Sequence, residues 1–90
     1  MPEQRRTALV TGSGRNIGRA VALALAADGY NVAVNGSNNR AACEAVATEV
    51  RKFGVESLVA MGDVGIANAA KGIAEAAISR FGAVDVLVNN

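Results

Sequence analysis

The segment Ala8–Gly18, which reads A-L-V-T-G-S-G-R-N-I-G, constrains the fold of this chain more than any other stretch. An apolar run, Thr7–Val10, leads into a turn that carries Gly12, Gly14 and Gly18, and an alanine- and leucine-rich helical pattern follows. Glycine allows a tight turn and a close approach of the backbone to a ligand. The unpaired N–H groups and the dipole at the start of a helix attract an anion. The segment therefore predicts a phosphate-binding loop, with a pyrophosphate as the expected ligand.

Two other nucleotide-loop patterns fit this segment less well. A nucleoside-triphosphate loop needs G-x-x-x-x-G-K followed by Ser or Thr, whereas positions 18–20 read Gly-Arg-Ala. The dinucleotide pattern G-x-G-x-x-G matches at Gly12 and Gly14, but Ile17 stands at its third glycine position. A glycine-rich turn that binds no ligand also stays open on these residues alone.

Strand and helix patterns alternate along the whole chain. Four apolar segments predict strands: Thr7–Val10, Asn31–Asn35, Ser57–Met61 and Val84–Val88. The segments between them repeat apolar residues at helical spacing, and each ends at a glycine: Gly29, Gly54 and Gly82. In the first helix this spacing predicts a buried face with four members: Ile17, Val21, Ala24 and Leu25. The alternation predicts an α/β fold with a parallel sheet, formed by a single domain over residues 1–90.

The composition limits the classes of partner and of chemistry. A formal net charge of +1 gives no reason to expect nucleic acid or an anionic membrane surface as a partner. No apolar run is long enough to span a membrane, and we expect no signal peptide because no apolar segment follows the first six residues. Cys43 is the only cysteine, which fits a cytoplasmic location and a small packing residue. The sequence has no histidine, so we expect no histidine-based catalytic triad and no metal site.

The glycine loop resembles the T-G-x-x-x-G-x-G signature of the short-chain dehydrogenase/reductase family. Asn16 occupies the middle glycine position of that signature, and Asn tolerates left-handed backbone angles better than most residues. The tripeptide Gly62-Asp63-Val64 is similar to the Asp-Val pair that follows the third strand in the family. The segment from Phe81 to Asn90 is similar to the one that leads into the family's N-N-A-G motif, and the sequence ends after the two asparagines. The resemblance covers essentially the whole chain.

The resemblance implies a Rossmann-type doubly wound parallel sheet, of which this chain is the N-terminal β-α-β-α-β-α-β part, with a dinucleotide site. In the family the aspartate after the third strand contacts the adenine, although Asp63 can also simply cap a turn. The family's paired asparagines hold the central strand to the cofactor loop, and we expect the Thr11 hydroxyl to do similar work. The residues expected at the cofactor are Gly12, Ser13, Gly14, Arg15, Asn16, Ile17, Gly18, Asn35, Gly36, Ser37, Asp63, Val64, Asn89 and Asn90.

The family's proton-transfer pair, Tyr-x-x-x-Lys, is absent from this sequence. Tyr30 is the only tyrosine, and Val34 stands four positions further on. Tyr30 also follows a helix-ending glycine, where an aromatic ring usually packs. No residue of the chain is therefore predicted to be catalytic.

The resemblance implies that this chain is the cofactor-binding part of an oxidoreductase that transfers a hydride to or from a small-molecule carbonyl or alcohol substrate. The sequence of the glycine loop is most similar to that of the 3-oxoacyl-acyl-carrier-protein reductase branch of the family. The partners implied are the remainder of the same fold and, for the complete protein, further copies in a homo-oligomer. Sequence beyond Asn90 that holds a Tyr-x-x-x-Lys pair would support this interpretation.

Two alternatives come from other functional classes. A non-catalytic nucleotide-binding or regulatory module can use the same fold, and it stays open because fold does not fix function. A methyltransferase on a similar sheet usually carries an acidic residue in the strand before the glycine loop. The segment Arg6–Val10 has no such residue.

The end of the second strand predicts a preference for NADP(H) over NAD(H) as the cofactor. NAD-selective folds usually carry Asp or Glu there, which hydrogen-bonds the ribose, and the segment Asn35–Arg40 has no carboxylate. Arg15 stands where NADP-dependent members of the family often carry a basic residue, and a guanidinium can bind the 2′-phosphate. Ser37 and Asn38 are expected to donate further hydrogen bonds, and Arg40 is a second candidate cation.

Overall fold

The computed structural model describes residues 5–90 as a four-stranded parallel sheet with a helix after each of the first three strands. In chain order the elements are β1 (Thr7–Val10), α1 (Asn16–Ala27), β2 (Asn31–Gly36), α2 (Arg40–Arg51), β3 (Ser57–Met61), α3 (Ala67–Phe81) and β4 (Val86–Val88). The strand order across the sheet is β3-β2-β1-β4, and all three pairings are parallel. The predicted α/β fold with a parallel sheet is confirmed.

Helices cover both faces of the sheet, and the alternation of side chains along each strand divides the core between them. Val10 and Val34 pack with α1 and α2 on one face. Leu9 and Ala33, one position earlier in each strand, pack with α3 on the other face. The central strands are therefore apolar on both sides, which is typical of a parallel sheet between two helical layers.

The buried face of α1 differs from the predicted one. Its buried residues are Gly18, Ala22 and Ala26. Ile17 is 71% exposed and Ala24 is also exposed, so the prediction is wrong for these two residues. Small side chains form the buried face because α1 starts at the glycine loop and packs closely against the sheet there.

β4 begins at Val86, two residues later than predicted. The Thr7 N–H donates to Asp85 Oδ2 at 2.8 Å, and the Asp85 N–H donates to the Thr7 C=O at 2.9 Å. The Asp85 carboxylate thus accepts the hydrogen bond from the Thr7 N–H, in the place of a backbone carbonyl of a longer β4. Val84 leaves the strand and packs against the α3 side of the core.

Within the described residues, β3 and β4 form the two edges of the sheet. Leu87 in β4 is 62% exposed, and Ile66 and Ile78 at α3 are exposed as well. An edge strand has unpaired backbone groups and can accept a further strand. The β4 edge, with the Leu87 side chain beside it, is therefore a surface on which more of a sheet can be built.

Candidate functional site

The glycine loop joins β1 to α1 at the carboxyl edge of the sheet. Gly12 has a φ of 58°, and Asn16 has a φ of 56°, the one left-handed angle of a non-glycine residue within residues 5–90. Asn16 therefore adopts the conformation that the middle glycine of the signature would provide. The loop keeps its turn despite the substitution, as the sequence predicts.

The start of α1 is open toward the loop. Arg15 stands directly before the helix, its side chain makes no capping hydrogen bond, and the first turn contains no acidic residue. The N–H groups of that turn and the helix dipole are thus available to an anion. Gly18 allows the helix to approach the loop, because a Cβ at this position would overlap the Gly12 carbonyl oxygen.

Ser13 supports the loop from the inside, and its polar groups bond to the chain itself. Its side chain is fully buried, and its hydroxyl donates to the Val10 C=O at 2.7 Å. The Asn35 N–H donates to Ser13 Oγ at 3.0 Å, and the Ser13 N–H donates to the Asn35 C=O at 2.7 Å. These groups are paired within the chain, which gives Ser13 a supporting role in the loop, and its contact with the cofactor stays a prediction.

Asn35 also has a supporting role, and its contact with the cofactor stays a prediction. Its side chain is buried, with the residue 2% exposed, and it joins three backbone segments. Asn35 Oδ1 accepts from the Gly12 N–H at 3.1 Å, while Nδ2 donates to the Ala60 C=O at 2.9 Å and to the Gly62 C=O at 3.2 Å. These bonds hold the glycine loop and the ends of β2 and β3 as one unit.

The end of β4 is tied to the glycine loop through Thr11. The Thr11 hydroxyl accepts from the Asn90 N–H at 2.9 Å and lies 3.4 Å from both the Val88 C=O and Asn89 Oδ1. Asn90 Nδ2 donates to the Gly12 C=O at 3.1 Å. The predicted link between the loop and the neighbouring strand end is confirmed.

A cleft of about 440 Å³ opens between the glycine loop and the loop that joins β2 to α2. The predicted cofactor residues that line it are Gly12, Gly14, Arg15, Asn16, Gly36, Ser37 and Asn90. The cleft is also lined by Asn38, expected as a hydrogen-bond donor, and by three residues that the sequence reasoning missed: Asn39, Ala42 and Cys43. The predicted cofactor residues that lie outside its lining are the buried Ser13 and Asn35 and also Ile17, Gly18, Asp63, Val64 and Asn89.

Arg15 is the one charged side chain among the residues that line the cleft, and it is exposed. Arg40, the second candidate cation, lies outside the lining, and its Nε is 3.4 Å from Glu44 Oε2. Asn39 caps α2 by accepting the Ala42 N–H on Oδ1 at 3.0 Å. The cleft therefore offers amide and hydroxyl groups, two helix starts and a single guanidinium.

Asp63 and Val64 follow β3 at the same edge of the sheet. Asp63 Oδ1 accepts the Gly65 N–H at 2.8 Å, which is the turn-capping role that the sequence also allowed. Both side chains are exposed. The structure does not bring them into the cleft.

Cys43 packs under the cleft, where the residue is 1% exposed. Burial, with a smaller effect from the Glu44 carboxylate, raises the pKa of the Cys43 thiol, so the sulfur is a neutral packing group. Tyr30 packs against the core on the α1 side, as its position predicts.

Residues 5–90 contain no group of three His, Cys, Asp or Glu side chains that could hold a metal ion. Over the same residues, no helix combines the length and the apolar character needed to cross a membrane.

Comparisons with known sequences identify relatives of this chain. The short chain dehydrogenase family matches residues 6–90. The 3-oxoacyl-acyl-carrier-protein reductase FabG of Staphylococcus aureus is 46% identical over 85 residues, which are 94% of this chain and 35% of the relative. The versicolorin reductase of Emericella nidulans is 39% identical over 85 residues, 94% of this chain and 32% of that protein. The chain thus spans about a third of the length of the curated relatives that it matches.

Solved structures show the same relationship. The crystal structure of a hydroxysteroid dehydrogenase from Escherichia coli matches with a TM-score of 0.88 and 33% identity, over 94% of this chain and 36% of that one. The acetoin dehydrogenase from Enterobacter cloacae matches with a TM-score of 0.91 and 30% identity, over 99% of this chain and 35% of that one. The fold around the cleft is therefore shared with enzymes of known structure.

Proposed function

Because this chain belongs to the short-chain dehydrogenase/reductase family, we propose that it is the cofactor-binding part of an NADP(H)-dependent oxidoreductase. The observation that carries the proposal is the cleft, in which the open start of α1 and the one cation, Arg15, border the same space. Pyrophosphate binds at the start of α1, and the adenosine ribose lies toward the loop between β2 and α2. The relatives are named as reductases and dehydrogenases, which favours an enzyme over a non-catalytic module.

The residues of this chain bind and orient the cofactor, while the nicotinamide supplies the hydride chemistry when it is bound. The backbone from Gly12 to Gly18 forms the pyrophosphate site, with Asn16 and Ile17 donating N–H groups from the first turn of α1. Gly36, Ser37 and Asn38 border the ribose. Asn35 and Ser13 keep the two loops at a fixed separation.

Two further pairs of predicted residues border the outer parts of the cofactor in this proposal. Asp63 and Val64 lie against the adenine, for which the exposed end of β3 leaves both side chains accessible. Asn89 and Asn90 hold β4 to the glycine loop, and Asn90 also lines the cleft. In this proposal, residues of this chain therefore bind the adenosine half of the cofactor.

The complete protein is proposed to act on a small-molecule carbonyl or alcohol, with the 3-oxoacyl-acyl-carrier-protein reductases as the most similar branch. It is proposed to be a cytoplasmic homo-oligomer. The remainder of the same fold pairs with the open edge of β4 and covers Leu87, whose exposure supports this arrangement. The residues that transfer the proton lie in that remainder.

The isolated 90-residue chain is expected to have no hydride-transfer activity, because it lacks a Tyr-x-x-x-Lys pair. The measurement is NADPH consumption by the purified chain with a panel of ketones, against a blank without protein. Turnover above that blank in a homogeneous preparation would contradict the prediction.

Replacing Arg15 by alanine is expected to weaken NADPH binding much more than NADH binding. A charged hydrogen bond to the 2′-phosphate contributes roughly 1.5–3 kcal/mol, which corresponds to about one to two decades in affinity. The measurement is a fluorescence titration of the full-length protein and its Arg15→Ala variant with both cofactors. This experiment tests the proposed cofactor preference directly.

Arg40→Ala is the matched control, because Arg40 lies outside the cleft lining and pairs with Glu44. Its NADPH affinity is expected to stay within about threefold of the parent, which is below 1 kcal/mol. Equal affinity of the parent for NADPH and NADH would refute the preference. An Arg15→Ala change that weakens both cofactors equally would also refute it.

A further inference from the structure

The sulfur of Cys43 lies between the two loops that form the walls of the cleft. A Cβ at Gly14, in the glycine loop, would lie 3.1 Å from Cys43 Sγ. A Cβ at Gly36, in the opposite wall, would lie 2.5 Å from the same atom. At 2.5 Å the sulfur and a side chain at position 36 exclude each other unless one of them moves, whereas at position 14 a shift of a few tenths of an ångström would relieve the contact.

The backbone does not require glycine at either position. The glycines with left-handed φ in the described residues are Gly12, Gly29, Gly54, Gly62 and Gly82. Gly14 and Gly36 are not among them, so an alanine at these positions would meet no penalty from φ. What excludes a side chain at position 36 is therefore space, and one atom of Cys43 occupies it.

Position 36 is also the position from which the end of β2 faces the cleft. Val32 and Val34 pack on the α1 and α2 side of the sheet, and alternation directs residue 36 to that side. Asn35 is buried and bonded to other strands, whereas Gly36 lines the cleft. An acidic side chain that reads the ribose hydroxyls from the end of this strand would thus have to emerge from position 36.

We propose that Cys43 limits which residues position 36 can hold, because its sulfur occupies the space that an acidic side chain there would need. The ribose is thereby left to Arg15 and the loop of Ser37 and Asn38. This inference rests on the proposed function. It goes beyond it in giving a steric reason, the contact between position 36 and Cys43, why no acidic side chain reads the ribose from the end of β2. Cys43 acts through its volume and does not contact the cofactor chemically.

The test compares the full-length protein with its Gly36→Asp, Cys43→Ala and Gly36→Asp/Cys43→Ala variants, titrated with NADH and NADPH. Gly36→Asp alone is expected to weaken both cofactors at least about threefold, because the new side chain forces the sulfur and the walls apart. Adding Cys43→Ala is expected to raise the affinity for NADH about tenfold over that of Gly36→Asp alone, since the carboxylate then has room to reach the ribose hydroxyls. Cys43→Ala alone is expected to keep the parental preference, because position 36 is still glycine and no carboxylate has been added.

Gly36→Asp/Cys43→Ser is the matched control, because serine retains a heavy atom at the γ position. It is expected to bind NADH like Gly36→Asp alone. The inference is overturned if Gly36→Asp alone binds NADH as tightly as the variant with Cys43→Ala, or if the serine control does so. A parent protein that binds neither NADH nor NADPH overturns the proposed function, and this inference with it. If the parent binds NADPH but Cys43→Ala does not change the NADH affinity of Gly36→Asp, this inference is overturned and the proposed function is not.

A thermal unfolding cycle covers the case in which the aspartate variant does not fold. Gly36→Ala and Cys43→Ala are each expected to lower the melting temperature, the first by a clash and the second by a void. The double variant is expected to melt at or above the temperature of Gly36→Ala, because the new methyl group fills the space of the lost sulfur. Losses that simply add would overturn the steric pairing on which the inference depends.

Discussion

Replacing Gly18 by alanine is expected to reduce NADPH affinity at least about a hundredfold, the loss of roughly 3 kcal/mol. The new Cβ would overlap the Gly12 carbonyl oxygen and lie 2.8 Å from Asn90 Nδ2. These neighbours are a backbone atom and a hydrogen-bonded amide, so the start of α1 must move away from the loop. The N–H groups that meet the pyrophosphate move with it, and one or two charged hydrogen bonds are lost at roughly 1.5–3 kcal/mol each.

The same substitution is expected to destabilise the full-length protein by about 1–3 kcal/mol, the usual range for an overpacked site. Gly72→Ala is the matched control, because Gly72 lies within α3 and a Cβ there meets nothing within 4 Å. Alanine in that helix is expected to leave NADPH binding unchanged and to stabilise the protein by roughly 0.5–1 kcal/mol. The readouts are the dissociation constant for NADPH and the free energy of unfolding. A Gly18→Ala variant with parental affinity would show that the close approach does not matter for binding.

Much of the fold was accessible from the sequence because its signals are local. Helix ends marked by glycine, the apolar runs and the glycine loop predict all four strands and their parallel pairing. The two errors have a common cause. Neither the exposure of Ile17 nor the late start of β4 follows from hydrophobicity, because close packing of α1 and the bond from Thr7 to Asp85 decide them.

The candidate site was accessible in outline only. The glycine loop and the strand ends are visible as motifs, and the structure groups many of the predicted residues around one cleft. Whether a polar residue at a strand end faces the ligand or the interior depends on a single step in the alternation. Asn35 and Gly36 are consecutive and therefore point to opposite faces of the sheet. Because β2 carries apolar residues on both faces, the sequence does not show which of the two points toward the cleft. Cys43 was visible only as a small packing residue, because its contacts with Gly14 and Gly36 join distant segments.

Replacing Asn35 by alanine is expected to destabilise the full-length protein by roughly 2–5 kcal/mol and to weaken NADPH binding as well. The change leaves the Gly12 N–H and the Ala60 and Gly62 carbonyls without the partner that the amide provides. Each unsatisfied buried group costs about 1–3 kcal/mol, less where water can enter. Because Gly12 begins the pyrophosphate site, the loop is expected to lose its fixed position relative to β3. Thermal or denaturant unfolding and a cofactor titration well below the melting temperature measure the two effects.

The aspartate variant separates this supporting role from a role in reading the ribose. Asn35→Asp keeps an acceptor for the Gly12 N–H but sets a carboxylate against two carbonyl oxygens, so we expect destabilisation without any gain in NADH affinity. The loss is expected to be smaller at pH 5 than at pH 8, because a protonated carboxyl group restores one donor. Asn31→Ala is the matched control at the opposite end of β2, where the Asn31 side chain accepts one bond, from the Glu56 N–H at 3.0 Å. It is expected to lower stability by about 1 kcal/mol with NADPH affinity unchanged. If Asn35→Asp instead shifts the cofactor preference to NADH, the side chain at position 35 contacts the ribose, and the assignment of position 36 as the one that faces the cleft is wrong.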